Sequence, residues 1–350
     1  MAKSFSCGKR FQRAGGVFLP VTIKDVAKRA GVAISTVSRV INNSGYVASE
    51  TREKVLRAVE EMKFVPSHMA RSLVSRETKS LGLIMPDITN PFFPAIARGV
   101  EDAAAALGYT VVLCNTDDDL AREEAYVKTL REKFIDGIIF VTVTPGNQEI
   151  KDLLDNGMPV VALDRSQEVL TAPAVLVDNV EGGYMATRYL IERGHRLIAH
   201  ISGPEYMSTS VDRRTGYQKA LKEAGLEVLP ALLRRGDFRL EGGYREMKAI
   251  LESGVRPTAL FAANDLMAIG AMRALEESGL RVPDDVSVIG YDDISLASLV
   301  KPTLTTIRQP AYQMGQEAVR LLVRRILRDE PPTEIILHGE LIERESVTNI

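Results

Sequence analysis

Short apolar segments alternate with amphipathic segments of helical length from residue 80 onward. The apolar segments read LGLIMP, YTVVLCN, GIIFV, PVVAL, AVLVDN, LIAHIS, ALFAAN and VSVIGYDD. Strands that alternate with helices are typical of a parallel sheet that is covered on both faces. The number of strands predicts two doubly wound α/β lobes.

Polar and aromatic side chains follow several of these predicted strands. In open parallel sheets, ligands bind beyond the carboxyl ends of the strands. Aromatic rings can cover the apolar C–H face of a sugar, while Asp, Asn, Gln and Arg side chains bind its hydroxyl groups. The pattern predicts a neutral-sugar site, and the candidates are Asn90, Phe92, Phe93, Asp164, Arg165, Arg213, Phe238, Asn264, Asp292 and Gln309.

A purely structural role is the alternative for residues of this kind. Asp is a favoured N-cap residue, so we predict that Asp265 and Asp293 cap helices and do not bind the ligand. One of the two neighbouring rings, Phe92 or Phe93, is equally consistent with a position in the core.

The first 80 residues are far more basic than the rest. They contain 15 Lys and Arg against 6 Asp and Glu, whereas the remaining 270 residues contain 29 against 40. A basic head on an acidic body predicts a polyanionic partner for the head alone. Residues 1–20 are basic and aperiodic and lack the apolar core of a secretion signal, so we predict a disordered leader, with a DNA-touching arm as the alternative.

Three short helices are predicted in residues 21–64. Within VTIKDVAKRAGVAISTVSRVINN, Thr22 is suited to cap the first helix, and Gly31 supplies the turn before the second. A small, exposed and basic second helix is typical of a protein that reads the DNA major groove, and a structural bundle is the alternative. The third helix is predicted to begin at Ser49 and to turn inward Val55, Leu56, Val59 and Met62.

The stretch TIKDVAKRAGVAISTVSRVINN, with ETREKVLRAVEEM and VPSHMARSL after it, closely resembles the headpiece of the lactose-repressor (LacI) family of bacterial transcription regulators. The resemblance continues to about residue 345. It implies an all-α helix-turn-helix headpiece at 21–64, a hinge helix and linker at 65–79, and a periplasmic-binding-protein-like α/β domain at 80–350. The implied lobes are about 80–177 with 310–338, and about 178–308 with 339–350.

The resemblance also implies which headpiece residues contact DNA. Arg39 is expected to bind a guanine through its two-pronged side chain, whereas hydroxyl groups contact phosphates and position the protein. Ala33 departs from the family, which usually has a serine there, and loss of this N-cap costs roughly 1 kcal/mol. The expected contact residues are Thr22, Ile34, Ser35, Thr36, Ser38 and Arg39.

The segment VPSHMARSLVSRETKS resembles the hinge of the family, which becomes helical when two subunits dock in the minor groove. Leu73 is the expected wedge between base pairs, which unstacks one step and bends the DNA. Ala70 is small enough for a close approach, and Arg71 is expected to meet phosphates. A solvated linker is the alternative.

The sugar candidates align with nearly the whole contact set of the ribose-binding type, so the resemblance implies ribose or another pentose as the effector. The loop TVTPGN places Thr142 or Thr144 where the ribose type has an amide, which leaves other sugars open. Met207 stands where the purine-responsive member has an arginine, which disfavours a purine.

These features together predict a cytoplasmic, nucleoid-associated repressor of a sugar-utilisation operon. It would bind a palindromic operator as a homodimer, under allosteric control by the sugar, without a cofactor or metal. No apolar run approaches the 18 residues that suggest a membrane span, so no membrane partner is expected.

An enzyme is disfavoured because the chain lacks a Gly-rich phosphate loop, a metal-ligand cluster and a nucleophile signature, so no catalytic residue is assigned. A secreted transport receptor is disfavoured by the basic head and the missing secretion signal. The main alternative is a carbon-catabolite-type regulator that is gated by a phosphoprotein or a phosphorylated metabolite.

Overall fold

The computed structural model describes residues 12–14, 17–19, 21–64, 78–141, 148–164, 172–328 and 331–350. Contacts divide the chain into two compact units, Met1–Thr78 and Lys79–Ile350. Within the described residues, no helix is both long and apolar enough to cross a membrane.

Two short strands stand where a disordered leader was predicted. Strand β1 spans Gln12–Ala14 and pairs in antiparallel fashion with β2, Val17–Leu19, so that Gln12 lies opposite Leu19. Paired strands thus occupy six residues within the predicted leader. A Gly-Gly pair separates the two strands in the sequence, and this dipeptide followed by an apolar run is a hairpin signal.

Three helices follow as α1 (Ile23–Ala30), α2 (Ile34–Ile41) and α3 (Ser49–Glu61). Thr22 precedes α1, and its backbone N–H and its hydroxyl both donate to the Asp25 carboxylate, at 2.9 and 2.7 Å. These bonds lower the pKa of Asp25. Gly31 ends α1 with a φ of 68°, a left-handed conformation that favours glycine.

A small apolar core joins the three helices. Val26, Val37 and Val55 are fully buried within it. Leu56 was predicted to point inward, but it is 49% exposed. The buried stripe of α3 runs through Val55 and Ala58, and one residue of helix turns the Leu56 side chain about 100° away from that stripe.

The first lobe of the larger unit is a six-stranded parallel sheet with the order β13-β7-β6-β5-β3-β4. Its strands are β3 (Ser80–Met85), β4 (Thr110–Asn115), β5 (Gly137–Phe140), β6 (Val160–Leu163), β7 (Ala174–Val177) and β13 (Glu334–Leu337). Helices α4 (Phe92–Ala106) and α11 (Ala311–Arg328) cover one face, and α5 (Leu120–Glu132) and α6 (Gln148–Asp155) cover the other.

Helices α4 and α11 cross at very short range. A Cβ atom on Gly99 would lie 2.0 Å from the carbonyl oxygen of Tyr312, and one on Gly315 would lie 2.3 Å from that of Ile96. Both positions therefore require glycine. This contact ties the last helix into lobe one, although most of lobe two precedes it in the sequence.

The second lobe has the strand order β14-β12-β11-β10-β8-β9, with β14 antiparallel to β12 and the other pairs parallel. Its strands are β8 (Ile198–Ser202), β9 (Leu233–Arg235), β10 (Ala259–Ala262), β11 (Ser287–Asp292), β12 (Thr305–Arg308) and β14 (Glu340–Ile342). Helices α7 (Asn179–Glu192) and α8 (Ser208–Glu223) pack on one face, and α9 (Leu240–Glu252) and α10 (Asp265–Glu277) pack on the other. The predicted pair of doubly wound lobes is confirmed.

Candidate functional site

A cavity between the two lobes lies at the carboxyl ends of strands from both sheets. It encloses an empty volume of about 540 Å³, part of which is open to solvent. Of the ten predicted sugar-binding residues, Arg165 lies outside the described residues. The other nine all line the cavity and are Asn90, Phe92, Phe93, Asp164, Arg213, Phe238, Asn264, Asp292 and Gln309.

Aromatic rings approach the cavity from both lobes. Phe92 and Phe93, at the start of α4, meet edge to face with ring centroids 5.3 Å apart. Both rings are buried in the core of lobe one and both line the cavity, so the two roles considered for them are compatible. Phe238 contributes a ring from lobe two.

A backbone hydrogen bond and a close approach to Gly203 position Phe238. Its backbone has a φ of 63°, and its carbonyl oxygen accepts a hydrogen bond of 2.9 Å from Asn264 Nδ2. A Cβ atom at Gly203 would lie 2.3 Å from the ring, so this position must be glycine for the ring to fit. These contacts direct the ring into the cavity.

A buried ion pair forms the polar centre of the cavity. The Arg213 and Asp292 side chains are 4% and 5% exposed, and Arg213 Nη1 lies 3.6 Å from Asp292 Oδ1. The guanidinium group also donates from Nε to Asn179 Oδ1 at 2.8 Å and from Nη1 to the Ala263 carbonyl oxygen at 2.7 Å. It lies over the Tyr291 ring, with 3.7 Å between the guanidinium carbon and the ring centroid. Arg213 is therefore fixed before any ligand arrives.

Gln309 completes this polar centre. Its Nε2 donates to Asp292 Oδ1 at 2.7 Å, whereas its Oε1 is buried and has no hydrogen-bond partner among the described residues. A buried acceptor without a donor costs about 1–3 kcal/mol. Gln309 therefore favours a ligand that brings a hydroxyl or N–H donor.

Burial raises the pKa of Asp292 to about 7, although the Arg213 charge and the hydrogen bond from Gln309 favour the carboxylate. The charge of Asp164 adds to the increase. Asp164 follows β6 with a φ of 72°, and its N–H donates to the Val175 carbonyl oxygen. A ligand that donates hydrogen bonds would relieve this clustering of negative charge.

The helix-capping role predicted for Asp265 and Asp293 is wrong, whereas neither residue is among those that line the cavity. Asn264 caps α10, because its Oδ1 accepts from the Met267 N–H at 2.9 Å. Asp265 is fully buried and instead accepts from the Ile294 N–H, after β11, and from the Thr306 hydroxyl, in β12. Burial, and then the Asp292 charge, raises the pKa of Asp265.

Asp293 does not cap a helix either. Its carboxylate pairs with Arg308 at 2.8 Å and with Arg344 at 2.6 Å, and its φ is 58°. Arg308 and Arg344 belong to β12 and to the segment after β14. Asp293 therefore ties the end of β11 to the last segments of lobe two, a role that depends on contacts distant in sequence.

Six further residues line the cavity and were not predicted. Asp237 and Arg239 flank Phe238, and Asp87 follows β3, so their proximity to predicted residues was a usable signal. Pro86 also follows β3 directly, whereas the strand pattern contains no signal for Asp118 or Thr209. The six residues are Pro86, Asp87, Asp118, Thr209, Asp237 and Arg239.

Helix α2 exposes the residues predicted to read DNA. Ile34 is 45% exposed, and Ser35 and Arg39 are also exposed, whereas Thr36 and Ser38 are partly buried. Ala33 makes no side-chain bond to the start of α2, and the Ser38 hydroxyl accepts from Asn42 Nδ2 at 3.3 Å. The hinge predictions for Ala70, Arg71 and Leu73 lie outside the described residues.

Two family models match this chain. "Bacterial regulatory proteins, lacI family" matches residues 22–67, and "Periplasmic binding proteins and sugar binding domain of LacI family" matches residues 78–344. The chain belongs to the LacI family. Both the recognised resemblance and the predicted fold class are thereby confirmed.

Relatives of this LacI-family chain include the HTH-type transcriptional repressor PurR of Pectobacterium carotovorum subsp. carotovorum, 44% identical over 331 residues, covering 94% of this chain and 97% of the relative. The ribose operon repressor of Halalkalibacterium halodurans is 40% identical over 323 residues, covering 90% and 96%. Because these relatives are named repressors, the prediction of a DNA-binding regulator and not an enzyme is confirmed.

Solved structures with the same fold include a lac repressor dimer bound to operator and the anti-inducer ONPF. It is 30% identical with a TM-score of 0.85, covering 94% of this chain and 100% of that one. A LacI family transcriptional regulator from Enterococcus faecium with bound ribose is 33% identical with a TM-score of 0.71, covering 77% and 99%.

Proposed function

We propose that this protein represses a sugar-utilisation operon by binding a palindromic operator as a homodimer, and that ribose or another pentose in the cavity changes its operator affinity. The observation that carries the effector proposal is the arrangement of Arg213, Asp292 and the unsatisfied Gln309 oxygen between aromatic rings. This role requires the protein to be in the cytoplasm, where the operator DNA is.

A neutral sugar suits both the donors and the acceptors of the cavity. Asp292 and Gln309 Oε1 accept hydrogen bonds, while the guanidinium group of Arg213 donates them. Vicinal hydroxyl groups can do both at once. The rings of Phe92, Phe93 and Phe238 provide apolar surface for the C–H face.

A phosphorylated metabolite fits this cavity less well. Among the described residues that line it, five are Asp and two are Arg. This excess of negative charge repels a phosphate dianion. This repulsion acts only on a phosphate in the cavity, so a phosphoprotein that binds elsewhere is an alternative effector.

A purine is the second candidate effector, because the PurR repressor is 44% identical to this chain. Residue 207 argues against it. The purine-responsive family member has an arginine at this position, whereas Met207 is 4% exposed and has no charged donor. We therefore favour the sugar.

The proposed mechanism is thermodynamic linkage between two sites. Effector bound to groups of both lobes favours one relative arrangement of the lobes, and operator favours another. The headpiece provides the operator contacts through α2, and the predicted hinge residues Ala70, Arg71 and Leu73 provide those in the minor groove.

Calorimetric titration of the purified protein tests the effector directly. The ligands are ribose, other pentoses, hexoses, hypoxanthine, guanine and the corresponding sugar phosphates. Micromolar binding of a pentose supports the proposal, and binding of a purine alone replaces it with the second candidate. If none of these ligands binds, a phosphoprotein effector is favoured.

A second measurement tests the site. We expect Asp292→Asn to abolish the response to the sugar, because the change removes a charged hydrogen-bond acceptor from the cavity. Operator affinity without sugar should stay nearly unchanged, because Asp292 is not part of the headpiece. Release of operator by this variant at wild-type sugar concentrations would show that the site is wrongly assigned.

A further inference from the structure

The polar centre of the cavity is attached to both segments where the chain crosses between the lobes near it. The first crossing runs from Val177, at the end of β7 in lobe one, to Asn179, at the start of α7 in lobe two. The second is at Gln309, between β12 in lobe two and α11 in lobe one.

Asn179 makes the attachment at the first crossing. Its side chain is buried, with the residue 4% exposed. Its Nδ2 donates to the Val177 carbonyl oxygen at 3.1 Å, and its Oδ1 accepts from Arg213 Nε at 2.8 Å. Asn179 thus connects the guanidinium group in the cavity to the backbone of the last strand before the crossing.

Arg213 and Asp292 are consequently held between the two crossings. Asn179 binds the arginine at the first, and Gln309 binds the carboxylate at the second, through the 2.7 Å bond to Asp292 Oδ1. The other hydrogen bond of the guanidinium group goes to the Ala263 carbonyl oxygen, inside lobe two. Among the hydrogen bonds described for Arg213, only the one to Asn179 leads to the first crossing.

We infer that Asn179 is a positioning residue for effector binding, which sets the orientation of Arg213 relative to the crossing without touching the ligand. This inference rests on the proposed function. Asn179 does not itself line the described cavity. Its amide suits the role because one atom must donate to a carbonyl while the other accepts from a guanidinium group.

Three variants separate this role from a general effect on folding. Asn179→Leu removes both bonds at similar size. Asn179→Asp keeps an oxygen for Arg213 Nε but loses the donor to the Val177 carbonyl oxygen. Thr187→Val is the matched control, because Thr187 is equally buried on the same helix and its hydroxyl bonds only the Gly183 carbonyl oxygen among the described contacts.

The experiment measures ribose affinity by calorimetry and operator affinity without ribose for the wild type and each variant. We expect Asn179→Leu to weaken ribose binding about 10- to 100-fold, the usual loss for a hydrogen bond to a charged group. Asn179→Asp should lose clearly less affinity than Asn179→Leu, because it keeps the acceptor for Arg213 Nε and gives up only the donor to the Val177 carbonyl oxygen. Thr187→Val should match the wild type, and all should bind operator equally.

Wild-type ribose affinity in Asn179→Leu, or a loss in Asn179→Asp as large as in Asn179→Leu, would overturn the inference. Failure of the proposed effector is recognised separately, because the wild type then does not bind ribose. In that case, ligand-free crystal structures decide. Arg213 should leave its position over Tyr291 in Asn179→Leu and keep it in Asn179→Asp, and an unmoved Arg213 in Asn179→Leu overturns the inference.

Discussion

Three residues that line the cavity have positive φ values, a backbone conformation that is energetically unfavourable for residues other than glycine. Asp164, Phe238 and Asp292 have φ values of 72°, 63° and 113°. Such conformations persist where surrounding contacts impose them and are frequent at binding sites. Here each one turns a side chain from the end of a strand or loop into the cavity, which supports a binding role for all three.

The ionisation of Asp292 should make effector binding depend on pH. Burial raises its pKa to about 7, and a ligand hydroxyl that donates to the carboxylate favours the charged form. We therefore expect effector affinity to fall as the pH drops below about 7, by at most about tenfold per unit, with a proton released on binding. Calorimetry between pH 5.5 and 8.5, in buffers of different ionisation enthalpy, measures both effects.

The same group has the opposite influence on stability without ligand. The pKa of Asp292 in the folded protein is above its ordinary value of 3.8. Its contribution to the free energy of unfolding is therefore fully present below pH 3.8 and is lost as the pH rises through about 7. Circular dichroism at each pH therefore serves as the control for folding. An effector affinity that stays constant from pH 5.5 to 8.5 would contradict the assigned role of Asp292.

At the scale of elements, α2 begins without a side-chain cap. Ala33 occupies its N-cap position, whereas Thr22 and Asp25 cap α1. A serine at residue 33 can accept a hydrogen bond from a free N–H of the first turn, which is typically worth about 1 kcal/mol.

We expect Ala33→Ser to raise the free energy of local opening of α2 in the full chain by about 1 kcal/mol. Hydrogen exchange of the α2 amides should therefore become slower. Mass spectrometry of the exchanged headpiece peptides measures this change. Ala105→Ser, at an exposed position in the last turn of α4, is the control and should not protect its own helix. Unchanged exchange of α2 in Ala33→Ser would show that residue 33 does not limit its stability.

The exposed face of α2 predicts a second result. Arg39→Ala should weaken operator binding by about 1–3 kcal/mol and relax base preference at one position in each half-site. Fluorescence anisotropy on an operator selected from randomised DNA, and on its single-base variants, measures both. Lys54→Ala, on the exposed surface of α3 beside Glu50, is the control and should leave base preference intact. Unchanged affinity in Arg39→Ala would remove α2 from the recognition role.

For the whole molecule, linkage requires a reciprocal effect between the sites. If the effector changes operator affinity 100-fold, the coupling free energy is about 2.7 kcal/mol, and operator must change effector affinity by the same factor. Calorimetric titration of effector into protein with saturating operator, and with DNA lacking the operator as control, measures the second factor. Unequal factors would contradict a single coupled equilibrium.

Much of the architecture could be predicted from the chain alone. Buried parallel strands read as continuous apolar runs, and their ends identify the edge where a ligand binds, so all nine described candidates line the cavity. Helices α1 to α3 were predictable from the helical period of their apolar residues, and α1 also from its cap at Thr22 and its end at Gly31. These signals are local, because each depends on residues within a few turns or on one strand.

The tertiary structure decided the roles that depend on contacts distant in sequence. Asp265 and Asp293 lie at or near strand ends, as Asp292 does, yet their partners give them other roles. Asp265 binds the Ile294 N–H and the Thr306 hydroxyl, whereas Asp293 binds Arg308 of β12 and Arg344 of the C-terminal segment. Asn179 had no signal at all, since its role arises only where Arg213 meets the crossing. Local pattern determines which residues reach an edge, whereas hydrogen-bond geometry and burial, which packing alone creates, determine what each one does there.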